Sequence, residues 1–367
     1  MKINPLIRLL VFALSCKVVL SSCNQSYGKN NYSGLSGHKT STIRVDRAST
    51  IGIEKIVSLA NAFKSQLNPD QVATLQHPYT LTDAKRWSNL PQPFLHGDEK
   101  SNGLNFGSLT PGQTQYAKAL LKEISGTGAD EGWDELQQLL NADDYLNKNG
   151  ADQSYGAVNY YITFLGLPAD TGVFEIKFDG HHLAFANTYK NGRLVGATPS
   201  FRGVEPFSTF QWNNKDNRPL QQEQAAFSAL LNALTPAQLA IAKLSATYSD
   251  LLVGPQKKEG VYPLSPSGIK CSALSADQKS LVLNAIKTYV DDIDDADAAL
   301  IMTKYAHELD NTYISFSGTT GLISQNDYIR IDGPSVWIEY SCQHGAVLAA
   351  THPHSIWRDK TKDYGGN

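Results

Sequence analysis

One five-residue pattern occurs four times in the chain and predicts where four helices begin. Each copy reads Leu, then Asn, Thr or Ser, then two further residues, then Gln. The side chain of the second residue can accept a hydrogen bond from the first helical turn, and the Gln can reach back to its backbone N–H, which makes a capping box. Proline follows the cap in three copies, where its missing N–H costs nothing. The copies span residues 67–71, 109–113, 234–238 and 274–278, so we expect helices to begin at about residues 69, 111, 236 and 276.

Apolar residues at three- and four-residue spacing predict further helices. Ile53, Ile56, Ala60 and Phe63 follow this spacing in a predicted helix over 46–67. Similar reasoning places helices at 130–147, 219–233 and 296–309. Two of the capped helices closely follow another helix, at Pro69 and at Pro236. Either a helix-pair unit is used twice, or the same capping chemistry arose at unrelated places.

The middle of the chain predicts a three-stranded antiparallel meander. Residues 173–178 alternate between apolar and charged side chains, and Asp179-Gly180 is a strong two-residue turn signal. A second strand over 181–190 then leads to Asn191-Gly192, another such turn, and to a third strand over 193–198. This register pairs Phe178 with His181 and places the adjacent His181 and His182 on opposite faces of the sheet.

The C-terminal part predicts further antiparallel strands at 313–317, 328–332 and 335–341, with Gly333-Pro334 at the last turn. The acidic run at 291–297 lacks the central glycine of an EF-hand loop, so it predicts a solvated helix terminus rather than a calcium loop. We therefore expect an α+β fold with a helical N-terminal part, a central antiparallel β-meander, further helices and C-terminal antiparallel strands. Residues 46–367 would form a single α+β domain.

The N-terminus is typical of an export signal, with Lys2 and Arg8 before an apolar run. The sequence Leu20-Ser21-Ser22-Cys23 then resembles the lipobox of bacterial lipoproteins, although Lys17 interrupts the apolar run. We expect a signal peptide over 1–22, a lipid on Cys23 and a flexible tether over 23–45. The protein would then be exported and anchored by lipid to the cell envelope, at the outer membrane or the cell surface. The alternative is an ordinary secretory signal with an unrelated cysteine.

Charge argues against a nucleic-acid partner. The chain has 32 basic and 35 acidic residues, so its net charge is −3. Removing a signal that contains three of the basic residues leaves 29 − 35 = −6. A chain with this balance and no basic stripe is a poor match for a phosphate backbone. Cys271 and Cys342 would remain in the exported protein, where they form a disulfide or stay as two buried thiols.

The densest chemistry lies near the C-terminus. His352 and His354 are two residues apart, so in an extended segment they project from one face and could share a metal ion. Pro353 favours extension but argues against a central strand. One more ligand from His181, His182, Glu205 or Glu339 would complete a three-histidine or two-histidine-one-carboxylate set suited to Zn²⁺ or Fe²⁺.

Three interpretations of these residues remain open: a divalent metal site, a metal-free polar binding or catalytic pocket, and purely structural roles. We predict that His352 and His354 converge with at least one of His181 and His182. Glu205 and Glu339 are the candidate catalytic carboxylates. Arg358 and Asp359 are expected just behind the site, with a structural ion pair or tail anchor as the alternative role.

Several motifs together resemble the domain-of-unknown-function 3500 family. They are Asn159-Tyr160-Tyr161 with Phe164, Gly166 and Pro168, then Gly180-His181-His182-Leu183, then the Thr198-Pro199, Phe201, Gly203, Pro206 series, and finally His352, His354, Arg358-Asp359 and Asp363-Tyr364-Gly365. The resemblance covers roughly residues 46–365. It implies one integrated domain in a bacterial and often exported protein, and it brings no settled activity.

The sequence supports two classes of function. The first is a lipid-anchored enzyme outside the cytoplasm that uses a divalent metal to hydrolyse or oxidise a small polar substrate. The second is a non-catalytic lipoprotein that binds a glycan or peptide in a cleft lined by aromatic and histidine side chains, or that acts as an envelope scaffold. The oligomeric state is left open by the sequence.

Overall fold

The computed structural model describes residues 52–255 and 260–366. The predicted signal peptide, Cys23 and the predicted tether lie outside the described residues. The helices are α1 (Ile53–Ser65), α2 (Pro69–Leu75), α3 (Leu81–Ala84), α4 (Pro111–Glu123), α5 (Gly132–Lys148), α6 (Gln221–Asn232), α7 (Pro236–Ala242), α8 (Ala276–Val290) and α9 (Asp295–Glu308). No helix within these residues is both long enough and apolar enough to cross a membrane.

All four predicted helix starts are confirmed. Helices α2, α4, α7 and α8 begin at the predicted residues, and each has a complete capping box. The paired glutamines also bond to each other: Gln113 Nε2 donates to Gln71 Oε1 at 3.0 Å, and Gln278 Nε2 donates to Gln238 Oε1 at 2.8 Å. The capping residues therefore join helices as well as starting them.

Most of the described strands form one large sheet. The strands are β1 (Gln76–His77), β2 (Leu104–Asn105), β3 (Tyr161–Leu165), β4 (Val173–Gly180), β5 (Leu183–Lys190), β6 (Arg193–Gly196), β7 (Ser200–Gly203), β8 (Phe210–Trp212), β9 (Lys215–Asn217), β10 (Ile269–Lys270), β11 (Tyr313–Ser317), β12 (Tyr328–Asp332), β13 (Val336–Gln343) and β14 (His352–Asp359). The main order is β1-β3-β4-β5-β7-β14-β13-β12-β11-β10, while β8 and β9 form a separate hairpin. The α+β prediction, with N-terminal helices and C-terminal antiparallel strands, is confirmed.

The same order of elements occurs twice. In the first half, two helices (α1, α2), a short strand (β2), two helices (α4, α5) and three strands (β3, β4, β5) occur in this order, with β1 and α3 inserted between α2 and β2. In the second half, α6, α7, β10, α8, α9, β11, β12 and β13 repeat that order. The halves meet at the centre of the sheet, where β7 pairs antiparallel with β14. This arrangement favours a repeated unit over unrelated capping.

The two faces of the sheet have different coverings. Most helices pack on one face, where side chains such as Phe174 and Ile176 of β4 and Ile338 and Tyr340 of β13 build two apolar cores. The opposite face carries a smaller apolar cluster that includes Trp87, Leu251 and Ile356. As predicted, Glu339 lies on the opposite face from Ile338 and Tyr340. The described residues form one compact unit.

The first turn of the meander is two residues later than predicted. Strand β4 runs to Gly180, which pairs with Leu183, and Phe178 pairs with Phe185 rather than with His181. A β-carbon at Gly180 would lie 2.6 Å from the Tyr160 ring, so this glycine permits close packing rather than forming the turn. The predicted placement of His181 and His182 on opposite faces is therefore wrong. The second predicted turn, Asn191-Gly192, is confirmed.

Two further expectations changed in the C-terminal half. Residues 352–359 form a strand at the centre of the sheet, although Pro353 argued against one. Pro353 is tolerated because it is the second residue of β14 and precedes the pairing with β7, which begins at His354. The last turn also lies one residue later than predicted, because Gly333 N–H bonds to Val336 O. Cys271 and Cys342 are buried free thiols, so the thiol alternative is confirmed.

Candidate metal centre

The turn between β4 and β5 presents two histidines side by side. His181 and His182 connect Gly180 to Leu183, and His182 has a left-handed backbone with φ 62°. Histidine adopts this conformation more readily than most residues with a β-carbon. Their rings stack with centroids 3.8 Å apart and an interplanar angle of 25°. The turn therefore brings both rings to one end of the sheet.

Strand β7 lies between this turn and β14. Gly203 N–H donates to His182 O at 2.7 Å, and Gly203 also pairs with His354 in the β7–β14 ladder. Along β14, His352 and His354 project from the same face because alternate residues of a strand do so. Three imidazoles from two distant parts of the chain therefore meet around one glycine.

The nitrogens of these imidazoles converge. His354 Nε2 lies 3.2 Å from His182 Nε2 and 3.3 Å from His352 Nε2. One ring nitrogen from each of the three histidines lies within 4.8 Å of the other two. We call His182, His352 and His354 the histidine triad. The predicted convergence of the C-terminal histidines with the meander is thereby found in the structure.

Gly203 leaves the space in which the triad assembles. A β-carbon at this position would lie 2.9 Å from Cδ2 of His182 and 2.9 Å from Cδ2 of His354. Real β-carbons avoid such distances, so any other residue would push the two rings apart. The close approach of His182 and His354 depends on this glycine.

Burial keeps two of the triad imidazoles neutral. The pKa of His352 is lowered to about 3, first by burial and then by the neighbouring histidines. Burial, followed by His181, His354 and His352, holds the pKa of His182 well below its usual value. A neutral imidazole has a lone pair available on one nitrogen, which is the form that binds metals.

Two carboxylates orient histidines from outside the triad. Asp250 Oδ1 lies 3.4 Å from Nδ1 of His354, the ring nitrogen that faces away from the triad. Asp143 Oδ1 accepts a 2.6 Å hydrogen bond from His181 Nδ1, and the Tyr155 ring meets the His181 ring edge-on at 4.8 Å. His181 is therefore a stacking neighbour of His182. Its predicted role as a metal ligand is replaced by this positioning role, because its Nδ1 bonds Asp143 and it is not one of the three convergent residues.

The spacing of the triad fits a tetrahedral ion. Ligand nitrogens 2.0–2.1 Å from such an ion are about 3.3–3.4 Å apart, and the two shortest separations here are 3.2 and 3.3 Å. Nδ1 of His352 is buried and has no hydrogen-bond partner within the described part of the chain. Three protein ligands leave one tetrahedral position open, which is the arrangement of catalytic rather than structural zinc sites.

The two predicted catalytic carboxylates have other partners. Glu205 accepts hydrogen bonds from the backbone N–H groups of Ala346, Val347 and Leu348. Its carboxylate therefore holds the loop that precedes β14.

Glu339 is likewise fully engaged. It accepts from the N–H groups of Leu252 and Val253, from Tyr328 Oη and from Trp337 Nε1. This fixes the segment that follows Asp250. Both carboxylates anchor loops beside the triad, and neither belongs to the group of convergent ligand atoms.

Arg358 and Asp359 anchor the C-terminal tail. Arg358 Nε donates to Asp363 Oδ2 at 2.8 Å, and Asp359 Oδ2 accepts from Lys304 Nζ and Tyr305 Oη, both at 2.9 Å. Arg358 Nη1 also lies 3.4 Å from Val253 O, in the segment that Glu339 holds after Asp250. The predicted position just behind the site therefore stays a prediction. The tail-anchor alternative fits both residues.

Sequence reasoning missed Asp143, Asp250 and the structural reason for Gly203. Asp143 lies inside α5 and Asp250 lies in an irregular segment, so neither has a local pattern that distinguishes it from other acidic residues. Gly203 belongs to the Thr198–Pro206 series that contributes to the family resemblance. Its role became visible only when two strands were paired on either side of it.

The comparisons with known proteins agree with the motif pattern. A family model described as protein of unknown function, DUF3500, matches residues 49–366. No curated protein and no solved structure matches the chain. The matched region includes all three histidines of the triad, Gly203 and both orienting carboxylates. Because the match covers most of the sequence, the chain belongs to the DUF3500 family.

Proposed function

We propose that this protein is a lipid-anchored hydrolase of the cell envelope that uses one Zn²⁺ ion held by the histidine triad. The observation that carries the proposal is the convergence of the Nε2 atoms of His182, His352 and His354 at distances of 3.2 and 3.3 Å. One metal ion shared by the three imidazoles accounts for ring nitrogens that face one another at these distances. A zinc ion bound there would lower the pKa of its water to about 7 and so supply hydroxide at neutral pH.

The donor set favours zinc over non-haem iron. The common site of Fe(II) oxygenases combines two histidines with one carboxylate. Among the described residues, the convergent group at this site contains three histidines and no carboxylate. Asp250 contacts the far nitrogen of His354 instead, which is the usual outer partner of a zinc-bound histidine. The proposed reaction is therefore hydrolysis rather than oxidation.

Exposure indicates the side from which a substrate enters. His182 and His352 are buried, whereas the side chain of His354 is 12 % exposed and that of Asp250 is 41 % exposed. Gln343 Nε2 lies 3.5 Å from Asp250 Oδ1, and the neighbouring His344 is exposed, so the entrance is polar. A small polar substrate suits this entrance better than an apolar one.

The proposal is tested by metal-dependent hydrolysis. Purified protein would be treated with chelator, reloaded with Zn²⁺ and assayed on a panel of p-nitrophenyl carboxylic esters, p-nitrophenyl phosphates and peptide nitroanilides. We expect at least one class to be hydrolysed only after reloading, and the double variant His352→Ala, His354→Ala to lose at least about 100-fold in kcat/KM.

The matched control is His307→Ala. His307 is exposed in the last turn of α9 and lies outside the triad, so this variant should keep wild-type activity. Activity that is equal in the chelated protein, the reloaded protein and the double variant would contradict the proposal. So would the absence of turnover across the whole panel.

A further inference from the structure

A second group of ionisable side chains lies on the opposite face of the sheet from the triad. It contains four carboxylates, Glu131, Glu135, Glu223 and Asp292, around the single guanidinium of Arg202. Glu131 and Glu135 belong to the start of α5, Glu223 belongs to α6, and Asp292 follows α8. Arg202 comes from β7 at the middle of the sheet. Both halves of the molecule therefore contribute to this carboxylate group.

Arg202 neutralises only part of the group. Its Nε lies 2.9 Å from Glu135 Oε2, and its Nη2 lies 2.7 Å from Asp292 Oδ2. The other oxygen of Glu135 accepts a hydrogen bond from the backbone N–H of Leu220, and the other oxygen of Asp292 accepts one from the backbone N–H of Gly132. In this set of contacts Glu135 and Asp292 each have Arg202 as a neighbouring cation, while Glu131 and Glu223 have none.

Glu223 is the exceptional residue. Its side chain is 0 % exposed, and within the described chain neither of its oxygens receives a hydrogen bond from another residue. Oε2 of Glu131 is also buried and without a partner. One turn after Glu223, Phe227 packs against Tyr340 of β13, and the Tyr340 hydroxyl is a further buried group without a partner. Leaving such buried groups without hydrogen bonds is unfavourable, and more so when they are charged.

The charge must be balanced by protons or by a cation. Four ionised carboxylates and one guanidinium would leave three negative charges inside the protein, which is very unfavourable. Without a cation, burial first and then the neighbouring acids raise the pKa of Glu131 to about 11 and hold that of Glu223 well above its usual value. Protons would remove the charge, but they would leave the unpaired oxygens of Glu223 without donors.

We propose that Glu131, Glu223 and Asp292 bind a calcium ion that joins the two halves of the molecule. One oxygen from each of these residues lies within 4.8 Å of the other two. Oxygens on opposite sides of a calcium ion, at 2.3–2.6 Å from it, are about 4.6–5.2 Å apart. The three carboxylates are therefore close enough to share one ion.

The donors select calcium over other divalent ions. All three are carboxylate oxygens, which suit hard cations rather than zinc. Glu223 is fully buried and the other two are nearly so, whereas Mg²⁺ usually keeps several of its waters. Ca²⁺ accepts irregular and bidentate carboxylate ligands without that hydration. Two half-buried acids of the same run have other roles, since Asp294 caps α9 and Asp291 pairs with Lys287.

The test uses the purified full-length protein and Ca²⁺ alone. After removal of bound ions with EGTA, Ca²⁺ would be added at about a hundredfold excess over its Kd. We expect about one Ca²⁺ per chain by elemental analysis after gel filtration, and a Tm increase of about 5 °C. The variant Glu223→Gln should fold, as judged by circular dichroism, and lose both effects. Glu131→Gln provides a second variant with the same expectation.

Two controls separate this site from other sources of calcium binding. Asp291→Asn changes a half-buried acid one residue from Asp292 that pairs with Lys287, and it should keep both the bound Ca²⁺ and the Tm increase. The double variant His352→Ala, His354→Ala should also keep them, which separates this site from the proposed zinc centre. Wild-type protein that binds no Ca²⁺ and shows no Tm change would overturn the proposal in favour of protonated carboxylates. Equal Ca²⁺ binding by Glu223→Gln and wild type would also overturn it.

Discussion

At the scale of single residues, Gly203 decides how closely the imidazoles approach. A methyl group at this position would meet Cδ2 of both His182 and His354 at 2.9 Å. Overpacking of this kind costs about 1–3 kcal/mol, and every 1.4 kcal/mol is a factor of ten in affinity. If the rings of His182 and His354 move to relieve this contact, their nitrogens no longer have the spacing that a metal ion needs, although the fold is kept.

The first prediction follows for Gly203→Ala. We expect its Zn²⁺ affinity to fall by about 10- to 100-fold, measured by competition with a chromogenic chelator. Gly112→Ala is the matched control, because a β-carbon there has no neighbour within 4 Å. Unchanged affinity in Gly203→Ala would show that the triad does not require this close approach.

Protonation of the triad provides a second prediction. In the metal-free protein the pKa of His352 is lowered to about 3 from an ordinary value of 6.5, so the unfolded chain binds this proton more readily than the folded one. The resulting stability is present above about pH 6.5 and is lost as the pH falls toward 3, by up to about 1.4 kcal/mol per pH unit.

Urea unfolding at pH 7 and pH 5 measures this effect in chelator-treated protein. The free energy of unfolding of wild type should fall more between the two pH values than that of His352→Gln, because the variant has no imidazole to protonate. Wild type and His352→Gln contain the same buried carboxylates, so the contribution of these carboxylates to the pH dependence of the unfolding free energy cancels in the comparison. An identical pH dependence in the two proteins would contradict the burial of a neutral His352.

The residues of the site could be predicted only in part. His352 and His354 were identifiable because an i, i+2 pair shares a face in any extended segment. Their meeting with His182 depended on the position of a turn, and Asp179-Gly180 indicated a turn two residues too early. The packing of Tyr160 on Gly180 decided the actual register. That contact joins residues on two strands, so no local pattern reveals it.

At the scale of elements, helix starts were the most predictable feature because capping is local. The Thr110 side chain accepts from Gln113 N–H, and Gln113 Oε1 accepts from Thr110 N–H at 2.9 Å. All the atoms involved lie within four residues of one another. Strand β14 was harder to predict. It has a central position because it pairs with β13, which is its neighbour in the sequence, and with β7, which is distant in the sequence.

The third prediction concerns this capping. Thr110→Ala should destabilise the protein by about 1 kcal/mol, because the first turn of α4 loses an acceptor. The corresponding decrease in Tm is about 2 °C for a domain of this size. Thr114→Ala, one turn later in the same helix, removes only a hydroxyl bonded to the Thr110 carbonyl and should change Tm less. Equal shifts in the two variants would indicate that the cap contributes nothing specific.

At the scale of the whole molecule, the repeated order of elements places both candidate metal sites at the junction of the halves. Strands β7 and β14 meet there, with His354 and Gly203 on one face and Arg202 on the other. The fold class could be predicted from local sequence patterns, but the pairing of β7 with β14 at this junction could not. It brings together residues that are about 170 positions apart, such as His182 and His354.

The fourth prediction concerns the proposed envelope location. Cys23 lies outside the described residues, so its role rests on the Leu20-Ser21-Ser22-Cys23 sequence. In protein expressed in a bacterium and fractionated, Cys23→Ala should move from the membrane fraction to the soluble fraction. Ser22→Ala is the matched control, since it keeps a small residue before the cysteine. Equal membrane partitioning of Cys23→Ala and wild type would exclude a lipid anchor at this residue.

The central claim is that His182, His352 and His354 hold one transition-metal ion, and elemental analysis of the purified protein tests it most directly. Wild type and the His307→Ala control should each contain about one Zn²⁺ per chain after gel filtration. The double variant His352→Ala, His354→Ala should keep its circular dichroism spectrum and contain less than about a tenth of that amount, because one imidazole cannot replace three. Wild-type protein that stays free of transition metal after incubation with Zn²⁺, or a folded double variant that binds as much Zn²⁺ as wild type, would contradict the claim.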